Sequence, residues 1–186
     1  IDLFNWQEKA DKMYSQLELT RHVSAQGETI GKYIREGKIK ADLEAPISEN
    51  KTLYYFERER VKELCKEFGW TEITPSNRKR LFMDFCKKMT MSYSYKPVFL
   101  ISLVSTMNEK GEAELDDVAY AFSEYYKDRK EQGLPAEKKK CIFTDGNYTL
   151  KDVEKLILSN PFKRFEDMGY MHHSKYLGIL QIDKSI

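Results

Sequence analysis

Two groups of cationic side chains are the residues of this sequence best suited to chemistry, and that chemistry is the holding of an anion. Arg78, Lys79 and Arg80 are consecutive and follow Thr74-Pro75-Ser76, a cap and stop that predict the first turn of a helix there. The peptide dipoles already place positive charge at such a turn, so each added cation costs roughly 0.3–1 kcal/mol unless something negative compensates. A phosphate held by free N–H groups and the three side chains is the functional reading. A solvated surface whose repulsion is screened by salt is the plain one. Lys163 and Arg164, together with Lys175 in a turn further on, form the second group and are open to the same two readings.

Other arrangements are weaker. Asp42 followed by Glu49-Asn50-Lys51 imitates the spaced carboxylates and Lys that hold a divalent ion beside a scissile phosphate. Those residues sit among Pro46, Ser48 and Asn50 in what reads as a polar turn, whereas such sites are built on a buried strand. His172 and His173 fall on a predicted strand, where neighbours face opposite sides and cannot easily share one ion. Tyr93 and Tyr95 can either stack on unpaired bases or anchor a helix start in a core, and the second use is the commoner. No Gly-rich phosphate loop ending in Lys-Ser/Thr, no Gly-x-Ser-x-Gly elbow and no His-Glu-x-x-His helix is present. The three cysteines, Cys65, Cys86 and Cys141, are far apart and odd in number, which predicts reduced thiols rather than disulfides or zinc ligands. No catalytic, cofactor or metal residue is therefore expected within these residues.

The chain has 186 residues, of which 41% are hydrophobic and 13% aromatic. A chain of that size can bury about two-thirds of its unfolded surface. It opens at Ile1 without an initiator Met, as expected of a piece of a longer polypeptide. No long apolar run and no secretory signal are present, so a cytoplasmic protein without a membrane partner is expected. The net charge is only +1, but it is unevenly spread: residues 51–90 hold ten basic and six acidic groups, and 137–186 hold nine and seven. An anionic partner should meet those two stretches.

Apolar spacing predicts a helix over 4–19, through Phe4, Trp6, Ala10, Met13, Tyr14 and Leu17, and a second over 29–35. From 38 to 55 the pattern dissolves around Pro46 and reads as an extended linker with one edge strand. Helices over 57–68, closed by Gly69, and from the Arg78 region onward with a stripe Leu81, Phe82, Phe85, Cys86 and Met89, are expected to pair as a hairpin. Pro97 opens the run Val98-Phe99-Leu100-Ile101, with Leu103, Val104 and Met107 behind it, crowded enough to be expected buried nearly all round. A short strand over 112–115, a helix from Asp116/Asp117, a polar loop over 134–147 containing Lys138-Lys139-Lys140, a helix started by Thr149 and Asp152, another from Asn160-Pro161 and a hairpin over 170–182 complete the chain.

The expected fold is mainly α: a helical arm and linker (1–52), a helical hairpin (53–92), and a winged-helix-like unit (93–186) that ends in a β-hairpin. A winged helix can present one helix to a major groove and its hairpin to the adjacent backbone. The same three-helix-plus-hairpin logic also serves proteins that touch no DNA.

Three strings carry a resemblance: Gly31-Lys32-Tyr33-Ile34-Arg35-Glu36-Gly37-Lys38-Ile39, Met91-Ser92-Tyr93-Ser94-Tyr95-Lys96-Pro97, and Asn160-Pro161-Phe162-Lys163-Arg164-Phe165-Glu166-Asp167-Met168. They resemble the region beyond the motor in bacterial DEAD/DEAH-box helicases of superfamily II, of the restriction-enzyme motor-subunit type. The resemblance implies that ATP, Mg²⁺ and any nuclease chemistry belong to other parts of a parent enzyme. It also implies that this region binds DNA, or docks so as to couple the motor to nuclease or methylation subunits, with Lys163 and Arg164 at family-like positions.

Overall fold

The structure, a computed structural model, describes residues 3–88, 91–137 and 140–186, with side chains from Gln7 onward. Met89, Lys138, Lys139 and the side chains of Phe4 and Trp6 lie outside the described residues. About 47% of the chain is helical and 15% is strand, the strands forming two small antiparallel sheets. The fold is therefore mixed α/β rather than mainly α. The chain divides into two compact units, residues 1–81 and 82–186.

The first unit departs most from the pattern-based reading. The single helix expected over 4–19 is α1 (Leu3–Ala10), a two-residue strand β1 (Tyr14–Ser15) and a short helix α2 (Gln16–Leu19). The break is made by a capping box. Ser15 Oγ accepts from Glu18 N–H at 3.2 Å, and the Glu18 carboxylate accepts from Ser15 N–H at 2.8 Å. Once Ser15 satisfies the first free N–H of a new helix, continuing the old one through it offers no advantage. After α3 (Gly27–Arg35), the expected extended linker with one edge strand holds two paired strands, β2 (Leu43–Ser48) and β3 (Lys51–Phe56). The boundary drawn after residue 52 falls inside β3. The sheet order is β1-β3-β2, which leaves β2 at an edge, the position in a sheet where a proline such as Pro46 is tolerated. Leu19, Val23, Ile30, Ile39 and Phe56 bury together with Val61 and Leu64 of α4 (Arg60–Phe68). Gly69, at φ 67°, ends α4 as expected.

The expected hairpin of α4 with the helix α5 (Arg78–Lys87) crosses the boundary between the two units. The buried face of α4 belongs to the first core, whereas Phe82, Phe85 and Cys86 of α5 pack into the second. That second core is built on α6 (Tyr95–Thr106), α7 (Leu115–Glu131), α8 (Leu150–Ser159) and α9 (Pro161–Asp167). The strands β4 (Glu112–Glu114), β5 (Met171–Ser174) and β6 (Ile179–Ile182) close it as a sheet of order β4-β6-β5. Val98, Phe99, Leu103, Val118, Phe122, Val153, Ile157, Phe162, Phe165 and Leu180 fill the interior.

Two expectations about this unit are corrected. The apolar run of α6 is not buried all round: Ile101 and Val104 are 62% and 58% exposed, because only the face through Val98, Phe99, Ser102 and Leu103 meets the core. Nor is the stretch 134–147 wholly polar loop. Phe143 is 2% exposed and lies flat on Tyr126, ring centroids 4.2 Å apart. The start of α8 follows its sequence signal. Thr149 and Asp152 cap each other reciprocally, and Thr149→Ala should lower stability by about 1 kcal/mol in chemical denaturation.

Candidate nucleic-acid interface

The elements that carry Lys163, Arg164 and Lys175 are adjacent in the second unit. Asn160 ends α8 and Pro161 occupies the first turn of α9, where its missing N–H is not needed. Phe162 and Phe165 then point into the core and set which residues face out. Lys163 is exposed, but its ammonium is bonded to the Asp167 carboxylate one turn on, and Glu166 lies 3.9 Å away. Arg164 is half-buried. The surface of α9 therefore offers one cation, Lys163, already engaged by two carboxylates. An exposed pair of this kind is weak and yields easily to a competing anion, but it attracts that anion little from a distance.

The β5–β6 turn is different in character. Lys175 is exposed, Tyr176 is 98% exposed and Leu177 62%, and Gly178 (φ 67°) closes the turn with its N–H donating to Ser174 C=O at 2.8 Å. This loop projects a cation and an aromatic ring into solvent from a rigid sheet. Beside it, the two histidines part as strand geometry requires. His172 Nε2 lies 2.9 Å from the Asp183 carboxylate, while His173 is half-buried with its ring edge-on to Phe162. Burial, with a contribution from the Lys175 charge, holds the His173 imidazole below its ordinary value, against the opposing pull of Glu166.

In the first unit, Asn77 shapes the entry to α5: its side-chain oxygen accepts from Thr74 N–H at 2.9 Å and its amide donates to Glu72 C=O at 2.8 Å. Arg78 is half-buried and Lys79 and Arg80 are exposed, in a first turn that has no acidic residue. Sequence spacing placed these three correctly at a helix start, but it missed Arg21, His22 and Arg58, which the fold brings to the same neighbourhood. No local signal links residues 21, 58 and 78. The antiparallel bridge of Val23 with Glu72 brings the segments of residues 21 and 78 side by side, and the Tyr14 ring, on which His22 stacks and over which Arg58 lies, brings in residue 58.

The imitation nuclease site is not assembled. Asp42 sits at one end of the β2–β3 hairpin, accepting from Glu57 N–H at 3.0 Å, and Glu49 and Lys51 are at the other end. At roughly 3.3 Å per residue, six strand residues separate them by about 20 Å. Among the described residues, no three His, Cys, Asp or Glu side chains converge to hold a metal ion. Tyr93 and Tyr95 stack on each other at 4.9 Å, Tyr95 is buried, and both anchor the start of α6. Cys65, Cys86 and Cys141 are free thiols, half-buried, and burial pushes Cys65 and Cys86 up from the ordinary thiol range, away from reactivity. No helix among the described residues is long and apolar enough to cross a membrane.

Compared with known proteins, the sequence matches no family model, and no significant match was found among curated proteins or solved structures.

Proposed function

We propose that this chain is a nucleic-acid-binding accessory region of a larger DNA-processing enzyme, with its second unit acting as a winged helix and catalysis residing elsewhere in the parent. One observation carries this reading: β4, the short strand between α6 and α7, hydrogen-bonds to the last strand β6, giving the order β4-β6-β5 that ties a terminal hairpin to a helical core. In that arrangement the β5–β6 turn is the wing, and Lys175 and Tyr176 are its contacts with a nucleic-acid backbone. Because Lys163 is balanced by Asp167, the wing contributes more to binding than α9 does. The helicase resemblance supports the same assignment and adds ATP and Mg²⁺ as requirements of the parent.

The test is binding of the chain to duplex, forked and single-stranded DNA across a range of salt. Phosphate contacts release counterions, so affinity should fall steeply as salt rises. Lys175→Ala should flatten the slope of log affinity against log salt by about one. Absence of binding to all three forms at low salt would remove the reading.

The exposed Ile101 and Val104 favour a second one, in which α6 docks against another domain of the same enzyme. Such an association would be almost indifferent to salt and would be lost in Ile101→Asp, with DNA binding unchanged.

A further inference from the structure

Tyr93 and Tyr95, whose spacing suited stacking on unpaired bases, are engaged with each other at the start of α6. The fold exposes a different tyrosine. Tyr176 is 98% exposed at the turn of the β5–β6 hairpin, with Leu177 62% exposed beside it. Neither serves the turn itself: turns select glycine, asparagine, aspartate and serine, and the residue whose backbone demands such a choice here is Gly178, at φ 67°. Neither serves the core, which the hairpin reaches through Met171 and Leu180. Two apolar side chains presented together at the tip of a turn are there to meet something outside the chain.

The tip is held from both sides. Gly178 N–H donates to Ser174 C=O at 2.8 Å within the turn, and Leu115 N–H, at the start of α7, donates to Gly178 C=O at 2.8 Å. Below it the register runs from Ser174 opposite Ile179 to Met171 opposite Ile182, and β6 is paired on its other edge with β4. A ring on such a support gives up little beyond its own rotamer freedom when it meets a ligand. The charge of the hairpin is one-sided: residues 168–182 contain Lys175 and no Asp or Glu. Across the sheet, Glu114 stands opposite Ile179, at the base of the turn below its tip. A flat aromatic ring, an apolar neighbour and one cation match a nucleobase and its phosphate, the ring stacking on the base while the ammonium meets the backbone.

We propose that Tyr176 stacks on an unpaired base, so that the β5–β6 turn takes single-stranded nucleic acid, or the first unpaired base of a fork, in preference to intact duplex. The stacking rests on the second unit being a nucleic-acid-binding region, and goes beyond the backbone contact assigned to the turn. Energetics select the unpaired base. Prising a paired base out of its stack costs more than one ring returns, and a turn of this size has no further surface to wrap, whereas a base with a free face meets the ring at no such cost. Lys175 adds a phosphate contact that is the same for every form of DNA.

Fluorescence anisotropy of labelled single-stranded, forked and blunt duplex oligonucleotides, titrated with the full chain and with Tyr176→Ala, Tyr176→Trp and Lys175→Ala, tests this. Tyr176→Ala should weaken binding to the single-stranded and forked forms by about tenfold and to blunt duplex by less than about twofold, and Tyr176→Trp should retain the parent's preference. Because the ring is 98% exposed, both variants should keep the parent's denaturation midpoint. Lys175→Ala should weaken all three forms alike. An equal loss across the three forms in Tyr176→Ala, or no loss, would overturn the stacking and leave the second unit a nucleic-acid binder. A parent chain that binds none of the three at low salt would remove that reading and the stacking with it. Loss of binding to phosphatidylserine vesicles in Tyr176→Ala, with DNA affinity unchanged, would overturn the stacking in favour of a membrane surface.

Discussion

Truncation of Phe143 to alanine should destabilise the protein by about 3–5 kcal/mol, a large part of the 5–15 kcal/mol that holds a typical domain folded. The ring is 2% exposed, parallel to Tyr126 at 4.2 Å, edge-on to Tyr148 at 4.9 Å and near Phe122 at 5.9 Å. Removing it takes away the transfer energy of the ring and leaves a cavity that three aromatic neighbours cannot easily refill. It also releases the segment that carries Glu137, whose carboxylate accepts from Ser94 N–H at 2.7 Å and Tyr126 O–H at 3.0 Å. The Phe143→Ala chain should therefore show an earlier denaturant midpoint and, in hydrogen exchange, faster exchange at the start of α6, where Ser94 sits. A loss below about 1 kcal/mol would mean that the 134–147 segment is not part of the core.

Phe165→Ala should cost a similar 3–5 kcal/mol, for a reason that bears on function. Its ring is fully buried and meets Phe85 at 5.5 Å, Phe99 at 5.8 Å and Phe82 at 6.3 Å, which ties α9 to α5 and α6. With α9 only seven residues long, its own hydrogen bonds are too few to keep it helical, so the aromatic anchor decides whether Lys163 and Arg164 have a fixed position at all. Lys163→Ala is the control. It removes an exposed i,i+4 pair with Asp167 and should change stability by less than about 0.5 kcal/mol in the same denaturation experiment. A Phe165→Ala loss as small as the control would show that α9 is not held by this packing.

Signals confined to a few neighbouring residues were readable without the fold. Gly69 as a left-handed stop, the reciprocal caps of Thr149 and Asp152, Pro161 at a helix start and the hairpin over 171–182 all follow from local backbone chemistry. The Ser15–Glu18 box was equally legible but was overridden by apolar spacing that continued through it. One edge strand was legible in the stretch 38–55 from Pro46, but its pairing with a second strand, β3, was not, because pairing is settled by contacts that no local pattern carries.

The amino-acid sequence by itself determined where helices start and stop and which cations lie on them, since those depend on caps, φ restrictions and residue order over one or two turns. Tertiary structure alone decided which faces are covered and which groups meet: it left Ile101 and Val104 outside, drew Phe143 in, set Asp167 against Lys163, and brought His22 and Arg58 to the same Tyr14 ring. Burial and long-range charge both depend on distances between residues far apart in the chain, which only the folded backbone establishes.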